Sequence, residues 1–315
     1  MNILTRRLVV PFIVAAFFAV IGTMAFADNA SAESFNQGPA KCSECHKAEA
    51  EIWNGTKHAK SFKTVHKADK AKALAKATGN KSMKKNETCV QCHYTLVAKK
   101  AGKAAKPKAG PSCESCHGAS SDWFTIHNDY GGPSVKADQE DAAHKADRKA
   151  QATAAGMRWP SDRYGIAENC NACHGLANPG VAGDKLAIML DGGHPANANW
   201  EYVEYSQGSI RHQFYPPDMT TNGEMDGPAL SRAFVIGQAA KLVSATAAMG
   251  NSASAKYKEF QEARAAAART ALAGVDAAAA LLADPTRDNA VALAAAIDGQ
   301  DLSGAVGGML PSSYK

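Results

Sequence analysis

The chain has 315 residues and a formal net charge of +5, and only 7% of its residues are aromatic. This length allows one large domain or two small ones. Abundant alanine and lysine favour helices, but the modest number of large apolar side chains argues against a core built from them alone. We expect another component to fill part of the core.

Residues 1–27 are interpreted as an export signal. Arg6 and Arg7 form a basic start, residues 8–26 are almost wholly apolar, and A-F-A at 25–27 is a small-residue cleavage site. The apolar segment is long for a signal peptide, so an uncleaved membrane anchor is the alternative. We predict cleavage, a periplasmic location and no membrane span in the mature protein.

All eight cysteines fall into four C-x-x-C pairs, and a histidine follows each pair immediately. Eight cysteines in an exported protein would otherwise suggest disulfides, but C-x-x-C-H is the attachment signature of c-type haem. Zinc ribbons and dithiol redox sites are the alternatives, and neither requires a histidine after every pair. The sequence therefore predicts four covalently bound haem c groups. The predicted attachment residues are Cys42, Cys45, Cys89, Cys92, Cys113, Cys116, Cys170 and Cys173, and the predicted proximal iron ligands are His46, His93, His117 and His174.

Four haems would change what the charge implies. Removing residues 1–27 takes away two arginines and no acidic residue, so the formal net charge falls from +5 to +3. Each haem brings two propionates, which would make the loaded protein slightly negative. The basic composition therefore does not indicate a polyanionic partner, and we predict no nucleic-acid binding.

The four motifs begin at residues 42, 89, 113 and 170, and this unequal spacing argues against a tandem repeat. We predict one intermeshed haem cluster with long haem-linking loops. Between the first and third motifs, residues 57–108 carry fifteen lysines against Asp69 and Glu87 only. Residues 57–77 are predicted to form a helix with a solvated basic face, and residues 99–111 a loop. The lysines serve solubility, or they form a docking surface that steers an acidic redox partner.

No cysteine or histidine follows His212, so we expect the haem chemistry to end near that residue. Residues 228–249 are predicted to form a helix that begins behind Asp226 and ends before Gly250. The alanine-rich residues 256–283 are predicted to form a second helix.

A last helix is predicted to begin with Asp284 as N-cap and Pro285 at its first position, and to end near Gly299. Residues 28–215 are accordingly predicted to be the tetrahaem domain. Residues 216–315 are predicted to be an alanine-rich helical region that packs on that domain or mediates homo-oligomerisation.

Six histidines lie outside the motifs: His58, His66, His127, His144, His194 and His212. Four of them suffice to give every iron a second axial ligand. Iron held by two histidines has a lower potential and does not readily bind substrate, which is typical of an electron carrier. An open iron position would instead indicate an enzyme.

His58 follows the proximal histidine His46 by twelve residues, which cover about 18 Å in a helix. A rigid helix leaving the proximal histidine would not curl around the same porphyrin, so we expect His58 to serve a different haem. His127 follows His117 by ten residues. Trp53 and Trp123, which precede these distal candidates, are suitable packing partners for porphyrin edges.

The pattern C-S-E-C-H…W…H-A-K followed by C-E-S-C-H-G…H resembles the cytochrome c-554 family of periplasmic tetrahaem cytochromes, over roughly residues 40–215. In that family the corresponding two histidines are distal ligands on neighbouring haems, and the resemblance assigns these roles to His58 and His127. It also implies a mainly helical fold with haems in close pairs, electron transfer from hydroxylamine oxidoreductase towards the quinone pool, and a five-coordinate haem at the second motif.

G-G-H-P at 192–195 and S-I-R-H at 209–212 resemble ligand-bearing segments of related multihaem cytochromes, which assigns distal roles to His194 and His212. His66 and His144 are interpreted as surface histidines, although each remains a candidate ligand for the second haem. Met189 is interpreted as a core residue, with axial ligation as the alternative.

We therefore predict a mainly α fold: a multihaem cytochrome c with long haem-linking loops, little or no sheet and a C-terminal helical segment. The predicted function is periplasmic electron transfer from a quinol dehydrogenase or respiratory oxidoreductase to a terminal reductase, and a carrier is favoured over an enzyme. One alternative is a haem enzyme that uses a five-coordinate iron on His93 to act on a small nitrogen oxide. The other is a structural subunit that connects haems in a larger complex.

Overall fold

The computed structural model describes residues 33–215 and 218–315, so the predicted export signal at 1–27 lies outside the described residues. Residues 34–315 form one compact unit. Within the described residues no helix combines the length and the apolar character needed to cross a membrane. The domain boundary between residues 215 and 216 stays a prediction.

Sixteen α-helices and one two-stranded sheet make up the regular structure of the described part of the chain. The first eight helices are α1 Pro39–Cys42, α2 Lys47–Gly55, α3 Lys57–Thr64, α4 Ala71–Ala77, α5 Glu87–His93, α6 Cys113–His117, α7 Phe124–His127 and α8 Ala142–Ala154. The others are α9 Arg163–His174, α10 Gly183–Asp191, α11 Tyr202–Ser206, α12 Gly227–Met249, α13 Ala255–Leu272, α14 Ala279–Ala283, α15 Arg287–Ala296 and α16 Ser303–Val306. The strands are β1 Thr95–Val97 and β2 Lys106–Ala109. The predicted fold class, mainly α with little sheet, is confirmed.

The chain between the first motif and His58 is two helices instead of one. Helix α2 ends at Gly55, and Thr56 is extended with a ψ angle of 163°. The Thr56 hydroxyl accepts a hydrogen bond from the amide of Ala59 at 3.2 Å and so caps α3. The assumption of one rigid helix was therefore wrong, because glycine disfavours helix and threonine is a good N-cap.

The lysine-rich segment also differs from its prediction in two places. Residues 57–77 form α3, a short 3₁₀ turn at Val65–Lys67 and then α4, so the single predicted helix is interrupted. The predicted loop at 99–111 contains β2, which pairs antiparallel with β1. The strand β2 depends on pairing with β1, which lies outside this segment. The Lys, Gly and Pro content of the segment therefore does not predict it.

In the C-terminal region, α12 confirms its prediction, with the Asp226 carboxylate accepting from the amide of Ala229 at 2.8 Å. The second predicted helix is interrupted: α13 ends at Leu272, and α14 begins only at Ala279, after a 3₁₀ turn. The last helix, α15, is capped by Thr286 instead of Asp284. A residue before proline avoids helical geometry, and here Asp284 is extended.

The largest apolar cluster is built by residues 164–306, mainly from α9 and α11–α15. Helix α12 is buried along most of its length and packs against α13 and α9. Gly237 in α12 permits the close approach of α11, because a Cβ on this glycine would come within 2.5 Å of the Tyr202 side chain. Before residue 160, by contrast, the described chain has only one small cluster, around Ala75, Met83 and Tyr94.

Candidate haem centres

Each C-x-x-C-H motif lies at a helix or helical turn, and side-chain caps hold three of the four. The Asn86 carboxamide oxygen accepts from the amides of Thr88 (2.9 Å) and Cys89 (3.0 Å) at the start of α5. Ser112 forms a capping box with Ser115 on α6. Asp162 accepts from the amide of Gly165 on α9, 2.9 Å away. These caps satisfy free helix N–H groups and so fix where each motif begins.

The eight predicted ligand histidines come together as four pairs, each with one motif histidine and one distal candidate. The ring centroids of His46 and His127 are 6.4 Å apart, and those of His58 and His174 are 5.9 Å apart. The pair His93 and His194 is separated by 5.9 Å, and the pair His117 and His212 by 6.3 Å. In every pair, the two histidines come from different elements of the chain.

These separations fit a metal ion between two imidazoles. Two metal–nitrogen bonds of about 2 Å each, together with the half-width of each ring, add to roughly 6 Å. All four pairs lie close to this value, although the partners are 81 to 116 residues apart in sequence.

 His46 and His127 are separated by 81 residues in sequence. His58 and His174 are the most widely separated pair, at 116 residues. Folding, and not local sequence, therefore creates each pair.

Four of the eight rings have a hydrogen bond that fixes which nitrogen faces a metal. The Nδ1–H of His117 donates to the carbonyl of Arg158 at 2.8 Å, and that of His127 donates to the carbonyl of Phe124 at 2.5 Å. His194 and His212 donate in the same way to the nearby carbonyls of residues 195 and 210, at 2.8 Å and 2.6 Å. A carbonyl can only accept, so Nδ1 carries the proton and Nε2 keeps the lone pair that binds a metal.

Burial also favours the neutral form of two motif histidines, His93 and His174. It lowers the pKa of His93 to about 4, with smaller contributions from His194 and His58. Burial likewise lowers the pKa of His174 to about 4, with contributions from His58 and His93. Neutral imidazole is the form that ligates metals, so these rings are suited to that role at neutral pH. The residues present therefore fit haem iron.

The four pairs fall into two groups. After burial, His58 contributes to the lowered pKa of His93, and His58 and His93 contribute to that of His174, which puts the pairs of the second and fourth motifs side by side. Similarly, His46 contributes to the lowered pKa of both His117 and His127, which puts the first and third motifs together. In both groups burial is the main cause of the lowered pKa.

The cysteines show the same grouping. A hydrogen bond between the thiols of Cys42 and Cys113, from the first and third motifs, raises the pKa of Cys42 together with burial. A hydrogen bond from Cys92 raises the pKa of Cys173 in the same way, and these residues belong to the second and fourth motifs. Burial and then Cys116 raise the pKa of Cys170, and the Asn169 amide beside it donates to the carbonyl of Ser115 at 2.7 Å, so the third and fourth motifs are neighbours. The motifs therefore follow one another in space in the order first, third, fourth, second.

Aromatic residues line these centres. Trp123 is 4% exposed and packs edge-on against His127 with centroids 5.1 Å apart, whereas the Trp53 indole donates to the carbonyl of Pro111 at 2.9 Å. Trp200, which the sequence analysis missed, stacks on His174 at 4.9 Å with an interplanar angle of 7°. Its only signal in the sequence was that it is one of four tryptophans and follows the G-G-H-P segment closely.

The third motif is held by contacts from distant segments. Gly118 has a φ angle of +92°, and a Cβ there would overlap the carbonyl of Gly156. The buried Glu114 carboxylate accepts from the amides of Gln37 and Gly38, both at 2.7 Å, and from the Ser120 hydroxyl at 2.5 Å. The segment at 34–38 and the motif are thereby joined.

The remaining candidates lie elsewhere. His66 is exposed, and the Nδ1 of His144 is 2.9 Å from the Glu140 carboxylate. Met189 is 6% exposed and packs in an apolar cluster with Leu186. In the described structure, none of these three side chains pairs with a motif histidine as the four distal candidates do.

Comparison with known proteins relates the chain to one family. Residues 41–118, which include the first three C-x-x-C-H motifs, match the family described as Cytochrome c554 and c-prime. A curated relative, Cytochrome c-554 of Nitrosomonas europaea, is 30% identical over 162 residues, which are 50% of this chain and 64% of the relative. The match therefore spans less than two thirds of that relative's length.

No solved structure matches the chain. The resemblance inferred from the motifs is nevertheless confirmed by the family match and by the curated relative. Over residues 41–118 the chain is similar to the cytochrome c-554 family.

Proposed function

We propose that the protein is a periplasmic tetrahaem c-type cytochrome that carries electrons between redox proteins. The observation that carries this proposal is the set of four histidine pairs, with ring centroids 5.9 to 6.4 Å apart. Every pair contains the histidine of one C-x-x-C-H motif, which is the signature of covalent haem attachment.

In this proposal the four cysteine pairs would hold the porphyrins covalently, and each histidine pair would supply two ligands to one iron. The first iron would have His46 and His127, the second His93 and His194, the third His117 and His212, and the fourth His58 and His174. When bound, each haem supplies a one-electron couple. The protein supplies ligation, burial and the spatial order of the centres.

The order of the attachment motifs supports one continuous path through the protein. The first and second motifs lie at the two ends of this order, and the third and fourth lie between them. At the first motif, His46 is 53% exposed and Cys45 is exposed. An exposed end suits electron exchange with a partner protein.

The environment of the second motif favours a carrier over an enzyme. The family resemblance implies a five-coordinate haem there, yet the His194 ring lies 5.9 Å from that of His93. The Nδ1 of His194 donates to its local carbonyl, which leaves its Nε2 available as a ligand. An iron with both axial positions filled does not readily bind a nitrogen oxide.

The lysine-rich segment supports docking of an acidic redox partner near the second motif. Of the fifteen lysines in residues 57–108, all except the half-buried Lys84 are exposed. Within the described part of the chain these lysines form no ion pair, so their charge faces solvent. Such a surface accelerates association with an acidic protein in a salt-dependent way. A quinol dehydrogenase or respiratory oxidoreductase upstream and a terminal reductase downstream are the proposed partners.

Mass spectrometry and electron paramagnetic resonance of the purified oxidised protein test the proposal. We expect a mass increase corresponding to four haems per chain, and four low-spin ferric centres. A high-spin ferric centre that binds nitric oxide would support the enzymatic alternative instead. Fewer than four covalent haems would overturn the tetrahaem assignment.

The variant His194→Ala tests the second centre. We expect the loss of one low-spin signal and the appearance of one high-spin signal, because only that iron loses an axial ligand. The matched control is His66→Ala, which removes an exposed histidine from the lysine-rich segment and should leave all four signals unchanged. An unchanged spectrum for His194→Ala would rule out His194 as the ligand.

A further inference from the structure

The C-terminal helix α13 contacts the chain directly after the fourth motif. The Tyr257 hydroxyl donates to the carbonyl of Leu176 at 2.6 Å. One turn later, the Gln261 amide donates to the carbonyl of Gly175 at 3.0 Å. Gly175 follows the motif histidine His174, so α13 holds the end of the helix that carries the fourth motif.

Arg264, one turn further along α13, reaches into the motif itself. Its Nη2 donates to the carboxamide oxygen of Asn171 at 2.9 Å, and Asn171 lies between the two motif cysteines. The same nitrogen donates to the Ser244 hydroxyl at 3.1 Å, and Nη1 donates to Gln261 at 2.7 Å. A Cβ on Gly175 would overlap the guanidinium, so this glycine makes room for Arg264.

The Arg264 guanidinium is a buried cation without a carboxylate partner. It is 1% exposed, and its three partners are neutral amide and hydroxyl oxygens. Within residues 33–215 and 218–315, no acidic side chain forms an ion pair with it. Burial lowers the pKa of Arg264 to about 10, so it stays charged at neutral pH. A buried charge without a counter-charge is unfavourable unless a nearby group compensates it.

A second cation lies close to the first. Lys241 is 4% exposed, and burial and the charge of Arg264 lower its pKa to about 8. Glu201 is the acidic residue that faces Lys241, and burial raises the pKa of that carboxyl. Glu201 thus faces Lys241, whereas Arg264 is the cation that contacts the fourth motif through Asn171.

We propose that Arg264 is the fixed positive charge that raises the reduction potential of the haem held by Cys170, Cys173 and His174. This inference rests on the proposed function. Reduction adds one electron from a redox partner and changes no covalent bond, so the reduced form carries one more negative charge. A cation in a poorly solvated site stabilises that form, because little water screens the interaction. The C-terminal region thus tunes one centre in addition to packing beside it.

A purely structural role predicts a different result. A cation at the C-terminus of α9 would complement the helix dipole and contribute to stability alone. In that case, replacing Arg264 would lower the unfolding temperature and leave every reduction potential unchanged. The reduction potentials of the Arg264 variants therefore distinguish a role in redox tuning from a purely structural role.

Redox titration of the loaded protein, followed by its absorption spectrum, tests the inference with two variants. Arg264→Met removes the charge and keeps much of the volume. We expect one of the four one-electron waves to move to a reduction potential lower by about 59 mV, which corresponds to a tenfold change in the equilibrium constant of that reduction. Asn171→Asp keeps Arg264 but adds a counter-charge 2.9 Å from it, and should move the same wave in the same direction.

Two controls complete the design. Lys258→Met removes one charge from the exposed side of the same helix and should leave all four waves in place, because solvent screens that charge. Arg264→Lys keeps the charge and should shift the wave less than Arg264→Met does. If Arg264→Met does not fold, Asn171→Asp decides, because it preserves the size of the side chain.

The outcomes also separate this inference from the proposed function. A wild-type protein with fewer than four haems would contradict the proposed function. A wild-type protein with four haems, in which neither Arg264→Met nor Asn171→Asp shifts any wave, would overturn the role of Arg264 alone.

Discussion

The regions before and after residue 160 differ in what can hold them together. Residues 164–306 form an apolar cluster that includes Phe234, Leu242 and Leu272, all 3% exposed or less. Residues 34–160 contain short helices, polar tethers such as Glu114 and one small apolar cluster. The second region therefore has a side-chain core, whereas in the first region we expect haem to supply much of the buried apolar surface.

Helix α9 connects the two modes of stabilisation. Tyr164 and Ala167 on its first half belong to the large apolar cluster, and its last turn carries Cys173 and His174 of the fourth motif. One helix can thus position a haem centre against a conventional core. The alanine-rich region therefore gives the fourth motif a stable platform.

The largest effect is expected from removing haem altogether. A chain expressed without haem attachment should lose amide protection through residues 34–160, because these residues have few apolar contacts of their own. Residues 227–296, in helices α12–α15, should keep measurable protection. Hydrogen exchange read by mass spectrometry compares the two regions within one sample.

The haem-loaded protein is the control for that experiment, and both of its regions should be protected. Equal loss of protection across both regions in the haem-free chain would show that the C-terminal core also depends on haem. The C-terminal region would then lack a side-chain core that is stable without haem.

A cavity in the C-terminal core should cost several kcal/mol without disturbing the haems. Leu242 is fully buried in α12, and Leu242→Ala is expected to lower the free energy of unfolding by about 3 kcal/mol. Urea unfolding followed by circular dichroism measures this loss. The low-spin absorption spectrum should stay native, and a changed spectrum would mean that the core also positions the haem ligands.

A polar tether of the first region should have a somewhat smaller effect. Glu114→Gln replaces one acceptor oxygen by an NH₂ group that faces amide donors, so we expect a loss of about 2 kcal/mol. Urea unfolding of the haem-loaded protein measures it. Glu44→Gln, at a side chain that is 63% exposed, is the matched control and should be near neutral. Equal stability of the two variants would contradict the role of the tether.

The smallest effect concerns the acid stability of the first region. Glu140 has a side chain that is 1% exposed, and Arg148 donates to it twice at 2.6 Å. Hydrogen bonds from Arg148, and then from His144, lower the pKa of Glu140 from 4.5 to about 2. Arg148 also donates to the carbonyl of His127, and Asp129 and Tyr130 lie near its charge.

Because the folded-state pKa is the lower one, Glu140 stabilises the fold fully above pH 4.5, and this contribution is lost as the pH falls towards 2. The difference in unfolding free energy between the wild type and Glu140→Gln should therefore shrink across that range. Urea unfolding at several pH values measures the difference. A difference that stays constant with pH would contradict the assigned pKa.

The local features could be predicted from the sequence. The attachment motifs are contiguous, so five residues suffice to recognise each of them. Helix α12 was equally readable, because Asp226 caps its start and Gly250 follows its end. The split at Thr56 and the cap at Thr286 were missed because neighbouring residues also offered acceptable helix signals.

The contacts between distant residues could not be predicted from the sequence and depend on how the chain packs. His58 lies beside His174, and His194 beside His93, because separate elements close on each centre after folding. Arg264 contacts Asn171 across 93 residues of sequence. An isolated histidine or arginine carries no sign of its future partner, since burial and proximity are properties of the packed chain and not of the residue.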